Sequence, residues 1–140
     1  MVWLLPRRTA NKLFGYWCRN LLFCIGCPIH LINSDKLKQH PSQIFVANHT
    51  SYVDAILLQA ILPPETIFVA KIELTRNILF KHFIKKFNYV TITRKDSAKS
   101  LTNVEQLATL LKQGRSLIIF PEGTFTYALG LRPFKQGAFK

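Results

Sequence analysis

Past residue 40 the chain alternates between short unbroken apolar runs and longer stretches whose apolar residues recur every three or four positions. Gln43 to Ala47, Thr66 to Ala70, Tyr89 to Thr93 and Leu117 to Phe120 read as strands, the first of them buried. Between them, Val53 to Leu62 has helical spacing and is stopped by Pro63-Pro64. Ile78, Leu79, Phe80, Phe83, Ile84 and Phe87 mark a second helix over 78–87. Leu101, Val104, Leu107, Ala108 and Leu111 mark a third, closed by Gly114. Strands alternating with helices predict an α/β fold, a mixed sheet with helices on its faces. In such folds the chemistry gathers where strands end and helices begin.

The first 32 residues follow a different pattern and form a segment of their own, ahead of a domain over 33–140. Leu13 to Ile32 is mostly apolar and, as a helix, long enough to cross about 30 Å of hydrocarbon. Arg19 and Asn20 in its middle make a free span costly. A helix lying in the membrane interface, with Trp3, Tyr16 and Trp17 at head-group depth, fits better; a helix packed into the core is the alternative.

Two polar blocks stand at strand ends. Asn48-His49-Thr50-Ser51-Tyr52-Val53-Asp54 follows the first strand, and Pro121-Glu122-Gly123-Thr124 follows the last. A histidine and an aspartate five positions apart at a strand-to-helix junction can fold onto each other. The carboxylate then holds one imidazole nitrogen and leaves the other to accept a proton. Asp35 lies five positions from both His30 and His40, but neither histidine stands at a strand-to-helix junction, and His82 has no acidic residue at that spacing. There is no Gly-x-Ser-x-Gly elbow and no cysteine in a comparable setting, so the pair points to a base acting on a substrate hydroxyl. Ser51 is placed to cap the following helix, and Asn48 to shape the turn. Amides around the turn at Gly123 are candidates for holding an oxyanion. Taken alone, Glu122-Gly123-Thr124 is an ordinary turn.

Together these blocks resemble the first and third sequence blocks of the glycerolipid (lysophospholipid) acyltransferase family. Lys71-Ile72-Glu73-Leu74 is similar to the family's Lys-x-Glu-Leu, Val90-Thr91-Ile92-Thr93-Arg94 to its second block, and Pro133 to Phe139 to the stretch after its third. The match spans roughly residues 43 to 140. The resemblance implies a glycerol-3-phosphate acyltransferase-like fold and transfer of a fatty acyl chain from acyl-CoA or acyl-carrier protein to a lysophospholipid hydroxyl. Lysophosphatidate is the first expectation for the acceptor, and glycerol 3-phosphate or another lysophospholipid the close rival. It further implies His49 as base, Asp54 as its orienting partner, and Arg94, Glu122, Gly123, Thr124 and Lys71 as acceptor-binding residues. No metal and no dissociable cofactor are expected beyond the thioester co-substrate. Glu122 is expected to meet a hydroxyl or a basic side chain rather than a phosphate, since like charges repel.

The sequence departs from the family at Phe125, where an arginine is usual, and at Phe87-Asn88-Tyr89, where a glycine is usual. The family's fourth block, expected beyond Phe139, is not reached, which reads as a truncated member.

Charge adds a partner. Nineteen Lys and Arg against seven Asp and Glu give +12, with eight basic and two acidic residues between 71 and 99. Such a balance suits an anionic surface, membrane or nucleic acid. The resemblance favours the membrane, with the site on the cytoplasmic side and no nucleic acid as partner. An inactive basic membrane- or nucleic-acid-binding fragment is the reading from another class. Cys18, Cys24 and Cys27 lie in an apolar segment and are expected to be buried structural thiols rather than a metal or redox site.

Overall fold

The computed structural model describes residues 5–38, 40–93, 97–123, 130 and 132–135. Four helices and four strands follow one another: α1 (Arg7–Cys24), β1 (Ile44–Val46), α2 (Val53–Ile61), β2 (Ile67–Lys71), α3 (Ile78–Lys86), β3 (Tyr89–Ile92), α4 (Ser97–Lys112) and β4 (Leu117–Ile119). Single 3-10 turns, Ser34–Lys38 and Ile72–Arg76, precede β1 and α3. The expected α/β alternation is present, with boundaries moved by a residue or two. The exception is α4, which begins four residues before its first predicted apolar position.

The sheet order is β1-β4-β2-β3. Where a mixed sheet was expected, every described pairing is parallel. The reason lies in the connections: a helix separates each strand from the next, and such a crossover returns the chain in its original direction. β4 is inserted between β1 and β2, so its Leu117 and Ile118 are almost wholly buried. Leu62, Phe68 and Ile118 form the core, with Phe45, Leu58, Ile61 and Tyr89 packed around them. β1 is an edge strand, and Ile44 and Val46 remain about half exposed.

The N-terminal segment differs from the expected helix over 13–32. α1 starts after Pro6 and stops at Cys24 because Gly26 takes a left-handed φ of 76°. Its N–H bonds the carbonyl of Phe23, and the next N–H, of Cys27, bonds that of Leu22, which is the Schellman closure; Pro28 then bars continuation. Ala10, Cys18 and Leu22 lie four or eight residues apart and make one buried stripe, packed on α2. Gly15 stands at the crossing, where a Cβ would lie 3.0 Å from the Gln59 carbonyl oxygen. The helix is therefore half a core element. Its other side carries exposed Tyr16, Trp17 and Phe23. Of the three thiols only Cys18 is buried; Cys24 and Cys27 are exposed, because the chain there has passed the contact with α2.

Candidate active site

In a parallel sheet all strands end on one side, and β1 and β4 are hydrogen-bonded neighbours. The loops that leave them are therefore brought side by side. His49 lies three residues beyond β1 and Glu122 three beyond β4. The register Val46↔Ile119 puts the two at the same height.

The His49 turn is built around one oxygen. Asp54, in the first turn of α2, places Oδ2 3.0 Å from His49 Nδ1. The same oxygen accepts the backbone N–H groups of Thr50 at 2.7 Å and Ser51 at 2.8 Å. Ser51 Oγ in turn accepts the N–H of Val53, so the helix entrance is closed from one residue outside its cap position, Tyr52, which makes no side-chain cap. Burial by itself would push the Asp54 carboxyl up. The Ser51 amide, the His49 ring and the Thr50 amide outweigh it and hold the group below its ordinary 3.8. An ionised Asp54 calls for an Nδ1–H on His49, which leaves Nε2 as the proton-accepting nitrogen.

Phe120 completes the support. Its ring stacks on the imidazole at 4.2 Å with 23° between the planes. In the sequence Phe120 is the end of a strand and the first residue of the block Phe120-Pro121-Glu122-Gly123-Thr124, and neither place foretells this contact.

Glu122 is 3% exposed, and among the described residues its carboxylate meets two main-chain amides. Oε1 accepts the N–H of His49 at 2.8 Å, and Oε2 accepts that of Arg132 at 3.2 Å. One side chain thus joins three segments: the turn after β1, the turn after β4 and the strand of chain around Arg132. The β4 turn is closed by the Gly123 N–H on the Phe120 carbonyl, and Gly123 holds a φ of 76° that a side-chain-bearing residue adopts only under strain. That amide, expected among the oxyanion donors, is engaged in closing the turn. The Pro121 carbonyl accepts the N–H of Lys135, which ties down the stretch after the block.

Lys71 ends β2 on the same side of the sheet. Asn48 is exposed at the start of the His49 turn. Arg94 and Thr124 lie outside the described residues. Among the described residues no cluster of three or more His, Cys, Asp or Glu could hold a metal ion.

The arrangement is a carboxylate-oriented imidazole on a rigid turn, flanked by an aromatic ring and locked from behind by a buried carboxylate. It can withdraw a proton from a hydroxyl brought to Nε2.

Comparisons with known proteins agree with this geometry. A family model described as "Acyltransferase" matches residues 28–140. A 1-acyl-sn-glycerol-3-phosphate acyltransferase of Cocos nucifera is 31% identical over 137 residues, covering 96% of this chain and 44% of the relative. One from Limnanthes douglasii is 32% identical over 143 residues, covering 98% and 50%. The chain therefore spans about half the length of the curated relatives it matches. Among solved structures, the 1-acyl-sn-glycerophosphate (LPA) acyltransferase of Thermotoga maritima superposes with a TM-score of 0.71 at 23% identity. That superposition covers 96% of this chain and 55% of the other, and it establishes a shared fold. With the family model spanning four-fifths of the sequence, both polar blocks included, the chain belongs to the acyltransferase family.

Proposed function

We propose that this chain moves a fatty acyl group from a thioester, acyl-CoA or acyl-carrier protein, to the free hydroxyl of a lysophospholipid, with lysophosphatidate the first acceptor to try. The observation that carries this reading is the 3.0 Å contact between His49 Nδ1 and Asp54 Oδ2 on the turn that follows β1. His49 Nε2 takes the proton of the acceptor hydroxyl as its oxygen attacks the thioester carbonyl. The tetrahedral intermediate collapses with cleavage of the C–S bond, and the proton passes to the departing sulfur. The products are the ester and a free thiol. Asp54 keeps the imidazole in the right tautomer and stabilises its cationic form. Glu122 acts by holding the His49 backbone, while Lys71, Gly123 and, by family resemblance, Arg94 and Thr124 are assigned to the acceptor.

Such an acceptor lives in a bilayer, and the exposed Tyr16, Trp17 and Phe23 of α1 suit a helix lying at the head-group level, with the site facing the cytoplasm. Among the described residues no helix is long and apolar enough to cross a membrane.

The test is thiol release from a long-chain acyl-CoA by the detergent-solubilised chain, with and without lysophosphatidate, beside His49→Ala. Acceptor-dependent release should fall by roughly 10²-fold or more in the variant, the usual loss when a general base is removed. Equal turnover in the two proteins would rule out the mechanism. Release from acyl-CoA that depends on glycerol 3-phosphate and not on lysophosphatidate would keep the chemistry and change the acceptor.

A further inference from the structure

The 3-10 turn Ile72–Arg76 and the first turn of α3 form an elbow that leaves the C-terminal end of β2. That is the side of the sheet on which His49 and Glu122 also lie. Its apolar side chains point outward: Ile78 is 68% exposed, Leu79 78% and Phe80 50%, and Ile72 and Leu74 are also exposed. Among the described residues none of them belongs to the buried core. Arg76 and Lys81 flank the three consecutive apolar residues and are exposed as well. Over 71–86 the chain carries Lys71, Arg76, Lys81, Lys85 and Lys86 against Glu73 alone.

The backbone of the elbow is unusually well satisfied for an exposed helix start. Asn77 Oδ1 accepts the N–H of Leu79 at 2.9 Å and of Phe80 at 3.4 Å. Thr75 Oγ1 donates to the Ile72 carbonyl, and His82 Nδ1 lies 2.9 Å from the Ile78 carbonyl. A helix N-terminus ordinarily depends on water for its first donors. Here the Asn77 side chain accepts two of them and the Asn77 carbonyl a third, from Lys81. The turn can leave water without stranding those groups, which is the condition for entering an apolar medium.

We propose that this elbow is a second membrane contact: Ile78, Leu79 and Phe80 insert below the head groups of an anionic bilayer, with Arg76 and Lys81 resting on its phosphates. The proposal builds on the membrane-surface reading of α1 and adds orientation to it. α1 alone would leave the molecule able to roll about the helix axis. A second contact beside the strand ends turns the His49 side of the sheet toward the leaflet, where the hydroxyl of a lysophospholipid lies. Basic residues around an apolar tip add electrostatic attraction for acidic lipids to the burial of apolar area.

The test uses the full chain with single tryptophan reporters and vesicles of brominated phosphatidylglycerol or brominated phosphatidylcholine. One protein carries Trp3→Phe, Trp17→Phe and Leu79→Trp; the other carries Trp3→Phe alone and reports from Trp17. Quenching and a blue shift at position 79 in phosphatidylglycerol, weaker in phosphatidylcholine, support the proposal. Quenching at Trp17 with position 79 still in water overturns it and leaves the α1 reading standing. Quenching at neither site removes both. Equal quenching at position 79 in the two lipids overturns the anionic preference. In addition, Leu79→Ser with Phe80→Ser, both exposed and so compatible with folding, should weaken phosphatidylglycerol vesicle binding about tenfold or more. An unchanged melting temperature with unchanged vesicle binding in that variant counts against the elbow.

Discussion

At the scale of single residues, two carboxylates with opposite solvent exposure share the work of one turn. Asp54 is partly exposed, and its Oδ2 serves three donors. Its folded-state pKa is depressed, so its contribution to stability is complete above the ordinary 3.8 and is lost as pH falls through the lower folded value. Asp54→Asn should therefore cost stability in urea unfolding at about pH 7, and the gap to the parent should narrow as pH falls below 3.8. A constant gap would mean that the Asp54 charge is not what holds the turn. Glu122 is buried, and its acceptor capacity is met by two backbone amides. Glu122→Ala leaves two part-buried amides without this partner and should destabilise the fold by about 1–3 kcal/mol. Glu122→Gln keeps one acceptor and opposes an NH₂ to the other amide, and should fall between. If Glu122 positions His49, the turnover number drops in Glu122→Gln with little change in the acceptor KM; a rise in KM alone would return it to direct acceptor binding.

At the scale of elements, the crossing of α1 on α2 depends on the missing side chain of Gly15. Replacement by alanine adds a methyl that the Gln59 carbonyl can meet only by yielding slightly, while the helix gains about 1 kcal/mol of propensity, so little net change is expected. Gly15→Leu has no such offset. It should separate the two helices and cost about 1–3 kcal/mol in chemical denaturation; a neutral Gly15→Leu would show that the contact is slack. The same helix sorts its thiols by depth. Burial pushes Cys18 up to about 11, whereas Cys24 and Cys27 are exposed. Alkylation near neutral pH should modify two thiols per native chain quickly and the third only on unfolding. Three fast thiols would indicate that α1 is undocked in solution.

At the scale of the whole molecule, what could be foreseen and what could not divide along a physical line. Strand and helix positions followed from periodicity, and the stop at Pro63-Pro64 held, because each depends on neighbours in sequence. The His49–Asp54 pair was visible for the same reason: five residues and one helix start fix its geometry. The insertion of β4 between β1 and β2 was not visible, since apolar runs such as Leu117 to Phe120 match any partner equally well. Nor was the bond from Glu122 to His49, because its donor is a main-chain N–H that every residue but proline has. The helix end at Cys24 was written in Gly26 and Pro28, yet the apolar residues beyond drew the expected helix on to Ile32. That long-range bond between Glu122 and the His49 amide spans 73 residues of sequence. The His49 turn therefore gains its second anchor only when β1 and β4 lie side by side, and without them it has the local Asp54 contacts alone. Thioesters are abundant, easily wasted carriers of activated carbon. On the proposed mechanism, tying the turn to sheet closure works as a safety catch: the fully held imidazole exists only where the sheet that forms the site does.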